Sequence, residues 1–404
     1  MEKVVSIDRS GRNAVAKSRI AASYEKLKAY CEKEGYKGWD PYDGLNSKFF
    51  QALPFIRSNR LARLAWIQLF KRSPLNLRSV FLVPKDYNLK GVGLFLAGYC
   101  REYRMAPSPA VKEKIRQLAE IIFQNQNRAY SGACWGYNFD WQARAFFQPR
   151  NTPTVVATTF ISSALLDAYE ITGEAHLLQT ARSACNFILN DLNRTYDAEG
   201  NFAFSYSPLD KSVVFNASLL GSRLLANVYR YTGEEVLKDE AKKSVSFCST
   251  YQRQDGSWGY GTLPFHQWVD NFHTGYNLEC ISDYMKFTGD DTYQPVVDKG
   301  FNYYINTFFT EEGISKYYNN KIYPVDVHAP SQLVITLAKL NKFKEHQELL
   351  DNVLLWTIGH MQSDKGYFYY QINKHFSSKI PYMRWAQSWM FYALTTYLYE
   401  DSKL

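Results

Sequence analysis

The chain has 404 residues, of which 46% are hydrophobic and 16% aromatic, with 31 Tyr and 9 Trp. A formal net charge of +8 favours an anionic partner: an acidic polysaccharide, nucleic acid or a membrane surface. No Lys/Arg run forms a nucleic-acid-binding arm, no stretch approaches the roughly 18 apolar residues of a membrane span, and the N-terminal residues hold no apolar signal segment; this sets aside nucleic acid and membrane insertion and leads us to expect a soluble, cytoplasmic protein.

Apolar periodicity divides the chain into two alternating sets of helices. From the N-terminus, an amphipathic helix over 12–33 precedes a helical insertion over 45–72 and then a helix over 88–104 that is apolar on nearly every side. Amphipathic segments recur at 109–127, 174–192, 234–251, 291–308 and 343–361. Apolar ones rich in small residues follow them at 154–171, 213–231, 272–287, 328–340 and 382–399. A helix apolar all round must be buried all round. In the insertion, the basic cluster from Arg57 to Arg63, with Lys71 and Arg72, reads as a solvated helix face.

The punctuation between the sets repeats. Tyr169-Glu-Ile-Thr-Gly-Glu174, Tyr229-Arg-Tyr-Thr-Gly-Glu234 and Tyr284-Met-Lys-Phe-Thr-Gly-Asp290 each place Gly at a helix C-terminus and an acid at the next helix start. A second phrase, Gly followed by aromatics, recurs at Gly132, Gly200, Gly256, Gly313 and Gly366, the last four at steps of 56, 57 and 53 residues. Such a period implies stacked units that cannot bury their apolar faces alone. Six amphipathic and six apolar helices make an all-α (α/α)6 toroid, a single domain over 1–404. Cys31, Cys100, Cys134, Cys185, Cys248 and Cys280 follow neither disulfide nor metal spacing and read as small hydrophobes; no metal or cofactor is expected.

Gln252-Arg-Gln-Asp-Gly256-Ser-Trp258 fits Q-x3-G-x-W and resembles the QW repeat of terpenoid cyclases. The resemblance implies a structural role for the motif within a toroid. The acidic cyclase motifs D-x-D-D and D-D-x-x-D do not occur. Three longer phrases, Gly38-Trp-Asp-Pro-Tyr-Asp-Gly-Leu-Asn46, Trp135-Gly-Tyr-Asn-Phe-Asp-Trp-Gln142 and Pro149-Arg-Asn-Thr-Pro-Thr-Val-Val-Ala157, resemble a family of bacterial polysaccharide-biosynthesis proteins (VpsJ-like). The resemblance extends through Tyr382-Met-Arg-Trp-Ala-Gln-Ser-Trp389. It implies an exopolysaccharide or capsule context and carbohydrate chemistry.

Loops entering the apolar helices line one mouth of such a toroid, and they carry the candidate site. Three of the seven histidines, His266, His273 and His328, fall there. Proton abstraction at carbon 5 of a uronic acid, as in epimerisation or β-elimination, would use His273 or Tyr276 as base and His328 or Tyr206 as the opposing acid. Arg144 or Arg384 would neutralise the substrate carboxylate. Trp135, Trp258 and Trp385 would stack on sugar rings, with Tyr137, Trp141, Arg150, Tyr260 and Tyr370 completing the saccharide path. Glycoside hydrolysis would instead pair two of Asp140, Asp270 and Asp326, although Asp270 and Asp326 also suit helix caps. A third reading is a non-catalytic module that holds an acidic oligo- or polysaccharide. The oligomeric state is left open.

Overall fold

The computed structural model describes residues 9–143 and 147–404. Helix α1 (Arg9–Lys33) begins the outer layer. The insertion supplies three short helices, α2 (Lys48–Gln51), α3 (Pro54–Ser58) and α4 (Arg60–Arg72). From there inner and outer helices alternate. The first inner helix, α5 (Leu89–Met105), is followed by outer α6 (Pro109–Gln124), inner α7 (Val155–Thr172) and outer α8 (Ala175–Asp191). Next come inner α9 (Phe215–Thr232), outer α10 (Glu235–Thr250), inner α11 (Asn271–Thr288) and outer α12 (Gln294–Phe308). The chain ends with inner α13 (His328–Lys339), outer α14 (Gln347–Met361) and inner α15 (Ser388–Asp401).

The inner helices close into a ring. Each of α5, α7, α9, α11 and α13 packs on the next, and α15 returns to α5. This is the (α/α)6 toroid that the two helix sets predict. The ring is tight because small residues sit where helices cross. A methyl group on Gly93 of α5 would lie 3.2 Å from the Cα of Ile161 on α7, and one on Gly98 would lie 2.6 Å from the Phe391 ring.

Both glycine phrases have a structural cause. Gly173, Gly233 and Gly289 terminate inner helices in the left-handed region, at φ of 72°, 68° and 74°. The acid after each ties outer helices together: Glu174 pairs with Arg116 at 2.7 Å, Glu234 with Arg182 at 2.5 Å and Asp290 with Lys242 at 2.9 Å. The loop glycines Gly256, Gly313 and Gly366 press against the next outer helix, where a Cβ would meet the carbonyl oxygen of Lys299, Asn352 or Lys26 at 2.5, 2.5 and 2.2 Å. Gln362 repeats what Gln252 does. Gln252 donates to the Gly256 and Val296 carbonyls, Gln362 to those of Gly366 and Ser23, so the last unit is clasped to α1 and the ring is sealed.

Trp135 and Trp258 belong to this scaffold, which corrects the expectation that they stack on sugars. Both are fully buried, with indole N–H groups donating to the carbonyls of Ile122 and Cys248 at the C-terminal ends of α6 and α10. All six cysteines are buried and unbridged. Among the described residues, no helix is long and apolar enough to cross a membrane. Short antiparallel pairs decorate the loops; residues 325–326 join 371–372, which in turn pair with 377–378.

Candidate active site

The N-terminal ends of the inner helices meet at one mouth, and they bring most of the predicted residues together. Asp270 caps α11, accepting the backbone N–H of His273 at 3.1 Å. The same carboxylate also holds the His273 ring: Nδ1 lies 2.8 and 3.0 Å from its two oxygens. Asp270 is buried, whereas the His273 side chain keeps 21% of its exposure, and its Nε2 carries no hydrogen bond among the described residues. A carboxylate on Nδ1 fixes the tautomer that leaves Nε2 as the free, basic nitrogen. Tyr260 and Trp268, stacked at 4.4 Å between centroids, stand edge-on beside this ring.

One helical turn further along α11, Tyr276 is 5.8 Å from His273, ring to ring, and its hydroxyl lies 2.8 Å from Nε2 of His328. His328 is fully enclosed between the Phe272 ring at 4.4 Å and that of Trp389 at 4.3 Å. Burial, then the nearby Lys90 charge, holds its pKa well below the usual range, so the imidazole is neutral. Its Nδ1 is buried without a partner. An orphaned lone pair costs less than an orphaned N–H, which places the proton on Nε2, donating to Tyr276 Oη. The Tyr276 proton is then not taken up by His328.

Asp326 is also fully buried. It accepts from the His328 backbone N–H at 2.9 Å, from Trp385 Nε1 at 2.9 Å and from the Gln371 amide at 2.5 Å. Burial pushes its pKa up to about 6 against those donors. Its role here is to aim Trp385, whose ring lies 5.2 Å from His328 and 5.8 Å from Tyr42. Tyr42, Trp141 and Tyr206 continue the aromatic wall, and the Tyr206 hydroxyl meets that of Tyr137 at 3.0 Å. Tyr370 stands behind it, buried against Tyr382 and Trp385. His266 is buried beside Tyr260, and burial lowers its pKa.

Several predicted roles change. Arg384 does not wait for a substrate carboxylate: it forms a buried bidentate pair with Asp40, with bonds of 2.5 and 2.8 Å. Asp40 belongs to the Gly38–Asn46 phrase, so that phrase serves to anchor Arg384 under the Tyr137 and Trp385 rings. Arg150 pairs with Asp86 at 2.9 Å near the surface, and its backbone N–H donates to Asp140 at 2.7 Å, which places both at the rim. Arg144 lies outside the described residues. Among those described, no three His, Cys, Asp or Glu side chains are grouped to hold a metal ion.

One residue of the site has no counterpart in the sequence reading. Lys90, in the first turn of α5, is 3% exposed and has no carboxylate partner or hydrogen bond among the described residues. Its ammonium faces the Phe160 ring at 4.3 Å, Trp389 at 5.2 Å and Tyr276 at 5.7 Å. Burial first, and the Arg384 charge second, press its pKa well below the normal lysine value. The available signal is a lone charge in the otherwise apolar stretch from Leu89 to Cys100. Lys90 and the converging helix N-termini place donors on the floor of this mouth, whereas the Arg384 charge is balanced by Asp40.

The opposite end of the toroid is different in kind. A cavity of about 320 Å³ opens there, but ion pairs line it: Asp167 with Arg101 and Arg104, Arg223 with Glu279, and Lys339 with Asp283. Paired charges of this sort hold helix ends together. The partly exposed His273 and the aromatic wall are at the other mouth.

No protein-family model matches the chain, and no curated protein matches it. Solved structures do. The chain is similar to cellobiose 2-epimerase from Bacillus thermoamylovorans (14% identity, 79% of this chain and 90% of that one, TM-score 0.63). It is also similar to a GH76 α-mannanase from Bacteroides thetaiotaomicron (12% identity, 78% and 87%, TM-score 0.59). An unsaturated glucuronyl hydrolase specific for heparin superposes over 96% of this chain and 98% of that one, at 11% identity and a TM-score of 0.60. At these identities the likeness shows the six-hairpin toroid fold.

Proposed function

We propose that the protein is a carbohydrate-active enzyme that moves a proton at a sugar carbon next to a carbonyl or carboxylate, as an epimerase or lyase does. The observation that carries this reading is the Asp270–His273 dyad, with a free Nε2 at an aromatic mouth. His273 takes the proton, Asp270 stabilises the imidazolium, and Tyr276, backed by His328, serves as the opposing acid. Charge that builds on the substrate oxygen is met by Lys90, which has no hydrogen-bonded carboxylate among the described residues. The stacked Tyr260–Trp268 pair, Trp385 and Tyr42 offer flat faces to sugar rings. An acidic saccharide would find Lys90 and the helix N-termini at the floor of the mouth.

Hydrolysis by paired carboxylates has less support. Asp270 is committed to His273, Asp326 to three donors and Asp140 to the Arg150 backbone. The structural neighbours named for epimerisation and hydrolysis support saccharide chemistry in general. The resemblance to polysaccharide-biosynthesis proteins supports an exopolysaccharide setting.

The test is incubation with neutral and uronic-acid oligosaccharides in deuterated water. Deuterium incorporation at a sugar carbon, or an unsaturated product, that disappears with His273→Ala establishes the reading. Saturable binding with no exchange and no product, unchanged in His273→Ala, makes the protein a saccharide-binding module.

A further inference from the structure

The net charge of this chain is not spread over it. Of the 47 Lys and Arg residues, eight lie between Gly44 and Lys85; of the 39 Asp and Glu residues, none does. The remaining 39 basic and 39 acidic residues cancel, so the whole formal charge of +8 belongs to this one segment, the insertion and the strand of chain after it. Two of the eight are neutralised, Arg78 by Asp43 at 2.6 Å and Lys85 by Glu34 at 2.5 Å. Lys48, Arg57, Arg63, Lys71 and Arg72 have no carboxylate partner among the described residues.

The same segment is where the apolar surface is exposed. Phe55 is 92% exposed, Leu61 74%, Leu75 70%, Val80 74% and Leu82 58%. The segment is about a tenth of the chain, yet it holds eight of the nineteen large hydrophobic side chains exposed among the described residues. On α4 the pattern is regular. Ile67 and Phe70 face inward onto Leu45, Phe50 and Phe81, while Leu61, Ala65, Leu69 and Arg72 run along the outside at helical spacing. An outward apolar stripe has no role in a solvated helix, and acid-free surroundings would repel a basic partner. Charge of one sign beside protruding Phe and Leu side chains is the chemistry of a surface that settles into an anionic lipid interface.

We infer that α3, α4 and the loop to Leu82 form a docking surface for an anionic bilayer. It binds peripherally: Phe55, Leu61 and Leu75 enter the headgroup boundary, and Arg57 and Arg72 contact lipid phosphates. The inner side of α4 is tied to the mouth. Trp66 donates to the Gly44 carbonyl at 3.0 Å, Arg63 to Gln142 at 2.9 Å beside Trp141, and Lys71 to the Tyr42 hydroxyl at 2.8 Å. Docking therefore sets the candidate active site about one helix diameter, roughly 10 Å, from the lipid surface. This inference does not depend on the reaction proposed above.

The experiment is co-sedimentation of the full chain with phosphatidylcholine vesicles, with and without phosphatidylglycerol. Three proteins are compared: the unaltered chain, Phe55→Ser/Leu61→Ser and Arg57→Glu/Arg72→Glu. All substituted positions are exposed, and unchanged melting temperatures confirm intact folds. The expected result is binding to the anionic vesicles only, weakened by salt and reduced about tenfold or more in each double variant. Absence of binding overturns the inference, as does equal binding to neutral vesicles or retention in both variants. Light scattering that shows a dimer abolished by Phe55→Ser/Leu61→Ser, without vesicle binding, would assign the surface to self-association instead.

Discussion

Asp270 holds His273 twice over, through the backbone N–H at 3.1 Å and through ring Nδ1 at 2.8 Å, so one carboxylate both starts helix α11 and orients the candidate base. The two functions separate by substitution. Asn is as good a helix cap as Asp but carries no charge to stabilise an imidazolium. Asp270→Asn is expected to lower turnover about 10²- to 10⁴-fold, the share that proton transfer through a correctly held His273 contributes, with little change in melting temperature. Asp270→Ala is expected to lose turnover and also about 1 kcal/mol of stability. Steady-state kinetics and thermal melts on the two variants check this.

Lys90 offers the opposite pattern. Burying an amine with no hydrogen-bonded carboxylate destabilises the fold, and burial pushes the Lys90 pKa down. Lys90→Met keeps most of the length and the apolar stem of the side chain and removes the amine. The variant is expected to melt higher, by the equivalent of about 1–3 kcal/mol, while losing affinity for acidic saccharides. A lower melting point with unchanged affinity would make Lys90 a packing residue. Calorimetric titration and a thermal melt distinguish the two.

Asp326 should leave a signature in the pH dependence of stability. Burial raises its pKa from 3.8 to about 6 in the folded protein. Between those values the native state holds a proton that the unfolded chain has shed, so stability falls as pH rises through this window. The contribution is on the order of 2–3 kcal/mol, present in full below pH 3.8 and lost above about 6. Asp326→Asn still accepts from Trp385 and His328, requires only that the Gln371 amide turn over, and cannot titrate. Chemical denaturation at several pH values is expected to show a shallower slope for Asp326→Asn than for the unaltered chain.

The architecture was readable because helical period and turn chemistry are local. An apolar stretch such as 213–231 cannot be soluble on any side, and Gly233 after Tyr-Thr ends it in the one conformation that favours glycine. The mouth was readable in part, because a residue at the start of an inner helix must sit there; His273, Tyr276 and His328 all do. What direction a loop side chain takes is not local. Trp135 and Trp258 follow glycines just as a sugar-stacking tryptophan would, but each turns back onto the outer helix before it. Arg384 reads as free until Asp40, 344 residues away, is brought against it by ring closure. Lys90 is hard to read from the sequence because it is the one charge in the apolar stretch from Leu89 to Cys100.

The two sets of repeated glycines are expected to differ in cost when replaced by alanine. Gly289 has a positive φ of 74°, but a Cβ there would have nothing within 4 Å. Gly289→Ala therefore carries only the left-handed backbone penalty, about 1–2 kcal/mol. Gly256 has φ of 94° and, in addition, a Cβ there would fall 2.5 Å from the Lys299 carbonyl oxygen and 3.2 Å from the Tyr303 Cβ. Relief requires the loop to leave α12, which breaks the Gln252 bridge to the Val296 carbonyl and unseats Trp258. Gly256→Ala is expected to cost several kcal/mol, at least twice the loss in Gly289→Ala, with the difference read from urea melts of the two variants. Equal losses would mean that the loop glycine is kept for its dihedral angle alone, and that the contact between successive outer helices contributes little to holding the toroid closed.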